Sequence, residues 1–231
     1  MFKKEEIKVI IFDLDNTLVN SSKAQNNAIC EFKNSYIAFS ETDDKQFIKL
    51  WEDITEEVYN KYLNNELTFE EMRIERMKRI FAKYSINISK GEALEKFKEY
   101  LSIYEKNWIL FDDVEQTLEY LQSKYELCII SNGDGEQQRS KIQRTGLDKY
   151  FKNIVISSEV GYSKPEKEIF EIACKIINLK PENCIMVGDK YKVDIEGSLN
   201  SGMNGIWINR NKEQSSYEYQ IKDLKELTKF L

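Results

Sequence analysis

Two hydrophobic rhythms divide the chain. From Ile7 to Phe12 the residues are apolar and largely β-branched, broken only by Lys8, and the run stops at Asp13 and Asp15, one residue apart. That pattern predicts a strand that ends in carboxylates. After Val19 the period changes from two to 3.6 and stays helical for about ninety residues. Phe47, Leu50, Trp51, Ile54, Val58 and Tyr62 form one stripe, and Leu94, Phe97, Leu101, Tyr104 and Trp108 form another. The spacing predicts four helices starting near Ser22, Asp43, Thr68 and Ser89, the last three on good N-cap residues. Trp51, Tyr59, Tyr62 and Trp108 fall to the core of this bundle on the same arithmetic.

From Asp113 onward, strands alternate with helices. The pattern predicts a helix over 113–124, a strand over 126–131, a helix from Glu136 to about Thr145 and a strand over 154–157. A helix over 165–177 follows, then a strand over 184–187, a helix over 193–200, a strand over 205–209 and a closing helix over 221–231. Such alternation implies an α/β fold, a doubly wound parallel sheet carrying an inserted all-helical domain. The expected core domain comprises residues 1–19 and 110–231, and the insert residues 20–109. Ligands of open parallel sheets sit beyond the carboxyl ends of the strands. The groups expected there are Asp13, Asp15, Ser131, Asn132 and Asp189.

Composition narrows the chemistry. The net charge of −6 disfavours binding to a nucleic acid polymer, which needs a basic surface. No stretch approaches the ~20 apolar residues of a membrane span, and the N-terminus lacks the pattern of a leader peptide, so a cytoplasmic protein with no membrane partner is expected. Cys30, Cys128, Cys174 and Cys184 are widely spaced in apolar segments and are expected to be buried free thiols. The chain has no histidine, which excludes Ser-His-Asp and Cys-His catalysis and a histidine general base.

Two carboxylates at one strand end repel each other unless a cation sits between them, so Asp13 and Asp15 point to a divalent metal. The stretch lacks the glycine and glutamate of a calcium loop, and the chain has no glycine-rich phosphate loop. Ser131-Asn132-Gly133, between a strand and a helix, offers a hydroxyl and backbone N–H groups to a phosphate, although taken by itself a polar turn is the better explanation. Lys164 precedes Pro165 at an expected helix start, where the helix dipole slightly disfavours a cation. Gly188-Asp189 places an aspartate at a strand end, and Asp194 follows early in the next helix.

These four pieces, in this order and at these strand ends, resemble the haloacid dehalogenase superfamily of phosphohydrolases, with the insert similar to that family's C1 cap. The resemblance implies Asp13 as the nucleophile that forms an aspartyl-phosphate and Asp15 as general acid and base. It implies phosphate binding by Ser131, Asn132 and Lys164. It also implies Mg²⁺ held by the Asp13 and Asp189 carboxylates and the Asp15 carbonyl, with Asp194 in support. Asp15 disfavours the dehalogenase and phosphonatase branches, which lack an acid there. Lys190 departs from the small hydroxyl residue common in relatives. The implied partner is a small phosphorylated metabolite, and the implied oligomeric state is a monomer or homodimer. Segments around Glu136–Gly146 and Leu147–Lys164 look similar to pyrimidine 5′-nucleotidases, whereas Ser131–Arg139 and Trp207–Arg210 look similar to N-acylneuraminate-9-phosphatases. A nucleoside 5′-monophosphate is the first expectation and a sugar phosphate the second. A catalytically silent phosphate-binding or regulatory protein on the same fold is the alternative of another class.

Overall fold

The computed structural model describes residues 4–231. Met1, Phe2 and Lys3, which belong to the expected core domain, lie outside the described residues. The chain forms two compact units, residues 1–21 with 109–231 and residues 22–108.

In the first unit, β1 (Val9–Phe12) is fully buried, and its successive side chains face opposite sides of the sheet. Val9 and Ile11 pack with Phe170, Ala173 and Met186 in one apolar layer. Phe12 meets Phe151 edge to face at 6.0 Å. After the insert come α5 (Val114–Leu121), β2 (Glu126–Ser131), α6 (Gly135–Arg144), β3 (Asn153–Ile156), the short α7 (Ser157–Val160) and α8 (Lys167–Ile177). The unit closes with β4 (Cys184–Gly188), a wide helical turn over Tyr191–Glu196, α9 (Gly197–Asn200), β5 (Asn204–Ile208) and β6 (Gln220–Ile221). The strands lie in the order β3-β2-β1-β4-β5-β6 and every pairing is parallel, as the alternation predicts. β1 is therefore flanked by β2 and β4, whose carboxyl ends carry Ser131 and Gly188. The two ends of the insertion are joined by a bridge between Val19 and Leu110 and by Asn20 N–H donating to Ile109 O at 2.9 Å.

The second unit holds α2 (Asp44–Leu63), α3 (Phe69–Ala82), α4 (Lys90–Lys106) and most of α1 (Ser21–Asn34). Asp43, Thr68 and Ser89 cap α2, α3 and α4 as their positions predict, and Thr68–Glu71 and Ser89–Glu92 form full capping boxes. An aromatic web fills its centre, with Trp51 centred 4.5 Å from Tyr100 and 5.5 Å from Phe32. Trp51→Ala is expected to cost about 3–5 kcal/mol in denaturant unfolding.

The structure corrects the sequence reading at several points. Tyr59 is exposed and Tyr62 half-buried, because they lie where the apolar stripe of α2 runs out beyond Val58. Trp51 and Trp108 are buried. The expected closing helix is instead the short strand β6, paired with Trp207 and Ile208, followed by a 3₁₀ stretch over Leu224–Lys229. Leu224 and Leu227, both fully buried, are three residues apart, which suits three residues per turn. Cys128, Cys174 and Cys184 are buried free thiols, whereas Cys30 is only half-buried. No helix among the described residues is long and apolar enough to cross a membrane.

Candidate active site

Asp13 stands one residue past β1, its N–H donating to Val187 O of the neighbouring β4 at 2.9 Å. The backbone then turns sharply. Asn16 adopts a left-handed conformation with φ of 61°, which asparagine tolerates better than most residues, and its N–H donates to Val19 O at 2.7 Å. Arg210 fastens the turn from outside by donating to Thr17 O at 2.9 Å while gripping both oxygens of Asp113.

Lys164 comes from the loop before α8. The helix begins at Lys167, so Lys164 stands clear of the helix start, contrary to the sequence reading. What places it is Asn132. The Asn132 amide donates to Lys164 O at 2.9 Å and accepts from Lys164 N–H at 2.8 Å, so both ends of the side chain grip the lysine backbone. The ammonium then reaches Asp13 Oδ1 at 2.5 Å and Asp194 Oδ1 at 2.7 Å. Burial alone would lower its pKa, but the two carboxylates overcome that and raise it.

Asp189 follows β4, and its carbonyl accepts from the Trp207 indole N–H at 2.7 Å. Asp194 lies in the wide turn over Tyr191–Glu196 rather than in a regular helix. Its side chain folds back to accept from Lys190 N–H at 2.9 Å. Such widened turns recur at functional sites. Gly188 makes room for it, since a Cβ there would collide with the Asp194 carboxylate.

Asp13, Asp189 and Asp194 offer oxygens that all lie within 4.8 Å of one another. The group fits a divalent cation on three counts. Burial, and then repulsion from Asp194 and Asp15, outweighs the pull of Lys164 and pushes the Asp13 carboxyl up to about 6. Burial, followed by repulsion from Asp13 and Asp194, pushes Asp189 up to about 7. Asp189 Oδ1 is buried with no hydrogen-bond partner among the described residues, a cost that a cation would remove.

Asp15 points elsewhere. Its carboxylate accepts from Ser21 Oγ, from Gln138 Nε2 at 2.6 Å and from Lys141 Nζ at 2.5 Å. Burial would raise its pKa, yet the Lys141 charge and the hydrogen bonds from Lys141, Ser21 and Gln138 hold it below the usual carboxylate value. Gln138 Nε2 also donates to Ser131 Oγ at 2.8 Å, joining the end of β2 to the same cluster. Ser21, Gln138 and Lys141 escape the sequence reading. The available signal was that Gln138 and Lys141 are three apart on α6 and share one face.

Residues 7–202 match the haloacid dehalogenase-like hydrolases. The chain belongs to that family. Human N-acylneuraminate-9-phosphatase is 28% identical over 97% of this hydrolase and 94% of its own length. The glyceraldehyde 3-phosphate phosphatase of Pyrococcus furiosus is 31% identical over 97% and 93%. Among solved structures, the magnesium-bound HAD-hydrolase YfnB of Bacillus subtilis shares the fold, with a TM-score of 0.81 and 23% identity over 97% of this hydrolase and 98% of that chain. Both of these curated relatives are phosphatases, in agreement with the enzyme class expected for this hydrolase.

Proposed function

We propose that the protein hydrolyses phosphomonoesters of small metabolites by way of an aspartyl-phosphate on Asp13. The observation that carries this is the Asp13 carboxylate held against the Lys164 ammonium, within the Asp13-Asp189-Asp194 group, with Asp15 two residues away.

Asp13 attacks phosphorus, and its oxygen–phosphorus bond forms as the bond to the leaving oxygen breaks. Asp15, ionised in the free enzyme and protonated once the phosphate anion lies beside it, gives its proton to that oxygen, and the alcohol departs. Water then attacks the phosphorus, loses a proton to Asp15 and breaks the bond to Asp13. Inorganic phosphate leaves and Asp15 is again protonated. Lys164 and the Ser131 hydroxyl bind the transferring oxygens. Asn132 acts one step back, by fixing the Lys164 backbone.

The residues proposed to hold Mg²⁺ are Asp13, Asp189 and the Asp15 carbonyl, with Asp194 in support. Bound there, the ion offsets the repulsion between an anionic nucleophile and an anionic phosphate. The charge count agrees, because the four aspartates carry four negative charges against two from Lys164 and Lys141. On its insertion directly after the first motif, the helical domain of residues 20–109 is assigned as a cap that selects substrate for a core of residues 1–19 and 110–231.

Full-length similarity to a sialic acid phosphatase favours a phosphorylated sugar acid over a nucleoside 5′-monophosphate. A panel containing both classes, with phosphate release as readout, is expected to give turnover with Mg²⁺ and none after EDTA treatment. Absence of turnover across the panel with Mg²⁺ present would favour a silent phosphate-binding protein.

A further inference from the structure

Helix α6 carries two buried polar side chains that the reaction as written does not use. Lys141 is 2% exposed and Gln138 is 2% exposed, and both donate to Asp15, Lys141 to Oδ1 and Gln138 to Oδ2. We propose that Gln138 and Lys141 are positioning residues that fix the Asp15 carboxyl for proton delivery to the leaving oxygen. The inference rests on the reading of Asp15 as acid and base given above.

A simpler account holds that packing buries Lys141 and that Asp15 merely neutralises it. Two observations argue against that account. A lysine in the last turn of a ten-residue helix has a long flexible stem, and such side chains ordinarily carry their charge out to water. Its burial beside a carboxylate incurs a desolvation penalty that needs good geometry to offset. Gln138 makes the stronger case. Its Nε2 bridges Asp15 Oδ2 and Ser131 Oγ, while its Oε1 is buried without a hydrogen-bond partner among the described residues. Leaving that acceptor buried without a partner carries a desolvation cost. The opposite orientation would set Oε1 against the Asp15 oxygen. The amide is thus held in the orientation that serves Asp15 and Ser131, at the expense of its own oxygen.

Fixing the carboxyl matters most when the leaving oxygen needs a proton. An alkoxide departs poorly without one, whereas p-nitrophenolate departs readily. The test measures kcat/KM, which reports steps up to phosphoryl transfer, for an alkyl phosphate and for p-nitrophenyl phosphate. For Lys141→Met, the expected result is a fall of about a hundredfold on the alkyl phosphate and of less than about threefold on p-nitrophenyl phosphate. Lys141→Arg should recover part of the alkyl activity. Beryllofluoride with Mg²⁺, followed by ¹⁹F NMR, reports Asp13 and its surroundings independently, and its binding should be unchanged. Gln138→Leu also releases the Ser131 hydroxyl, so it is expected to lower turnover of both substrates but of the alkyl phosphate by a clearly larger factor, and that inequality decides the matter if Lys141→Met does not fold. An equal fall on both substrates, or no fall on either, overturns the proposal while wild-type turnover leaves the phosphatase reading standing. A wild type without turnover removes the phosphatase reading itself, and this inference with it.

Discussion

Asp13→Asn should lower phosphate release by at least about 10⁴-fold, the scale seen when an enzyme loses its covalent nucleophile. The amide has nearly the same shape but no negative charge and no basic oxygen to form the phosphate ester. The fold should not suffer. Asp13 is buried, and desolvation is the largest influence on its carboxyl, so neutralising it removes an unfavourable charge. Lys164 keeps a carboxylate partner in Asp194 at 2.7 Å. Thermal unfolding of the metal-free variant is therefore expected at or above the wild-type temperature. Residual turnover above about one per cent of wild type would remove Asp13 from the role of nucleophile.

Lys164→Met should damage both activity and stability. The ammonium is the buried countercharge of Asp13 and Asp194, and removing one partner of a buried ion pair costs about 3–5 kcal/mol because the other charge is left uncompensated. The penalty depends on pH with a definite sign. In the wild type the Asp13 pKa is already raised to about 6, and loss of Lys164 removes the influence that lowers it. A carboxyl whose folded pKa lies above its unfolded value near 4 binds protons more tightly when folded. Its contribution to stability is full below pH 4 and is lost as pH rises through the folded pKa. The metal-free variant should thus be least stable above pH 7 and approach wild type as the pH falls towards 5. Urea unfolding at several pH values measures this. A deficit independent of pH would mean that lost packing of the lysine stem dominates.

The fold class and the strand ends were legible because apolar runs, N-caps and strand–helix alternation are local signals. Asp43, Thr68 and Ser89 cap their helices through side chains reaching two or three residues ahead, which is the range that sequence spacing describes. Where long-range contacts decide, the pattern fell short. Lys164 is placed by Asn132, 32 residues away, and not by the helix that follows it. Lys141 and Gln138 meet Asp15 across 126 and 123 residues, and a polar helix face in the sequence looks the same whether water or a buried carboxylate lies beyond it. Ile221 reads as part of a helix until β5 is known to offer it an edge. Tyr59 and Tyr62 show the reverse error, since their spacing fits a core stripe that ends before it reaches them.

The pairing of β1 has a consequence for the order in which the newly made chain takes shape. Val9 bonds into the ladder only beside Glu126 and Cys184, so the strand that presents the nucleophile is translated early but finds its neighbours late. The helical insert has an apolar core drawn from within residues 22–108 and can condense while the ribosome is still extending the chain. Until residues 126–131 emerge, Ile10, Ile11 and Phe12 remain an unpaired apolar segment, the kind of exposed strand that holdase chaperones bind, and their second edge stays open until residues 184–188 follow.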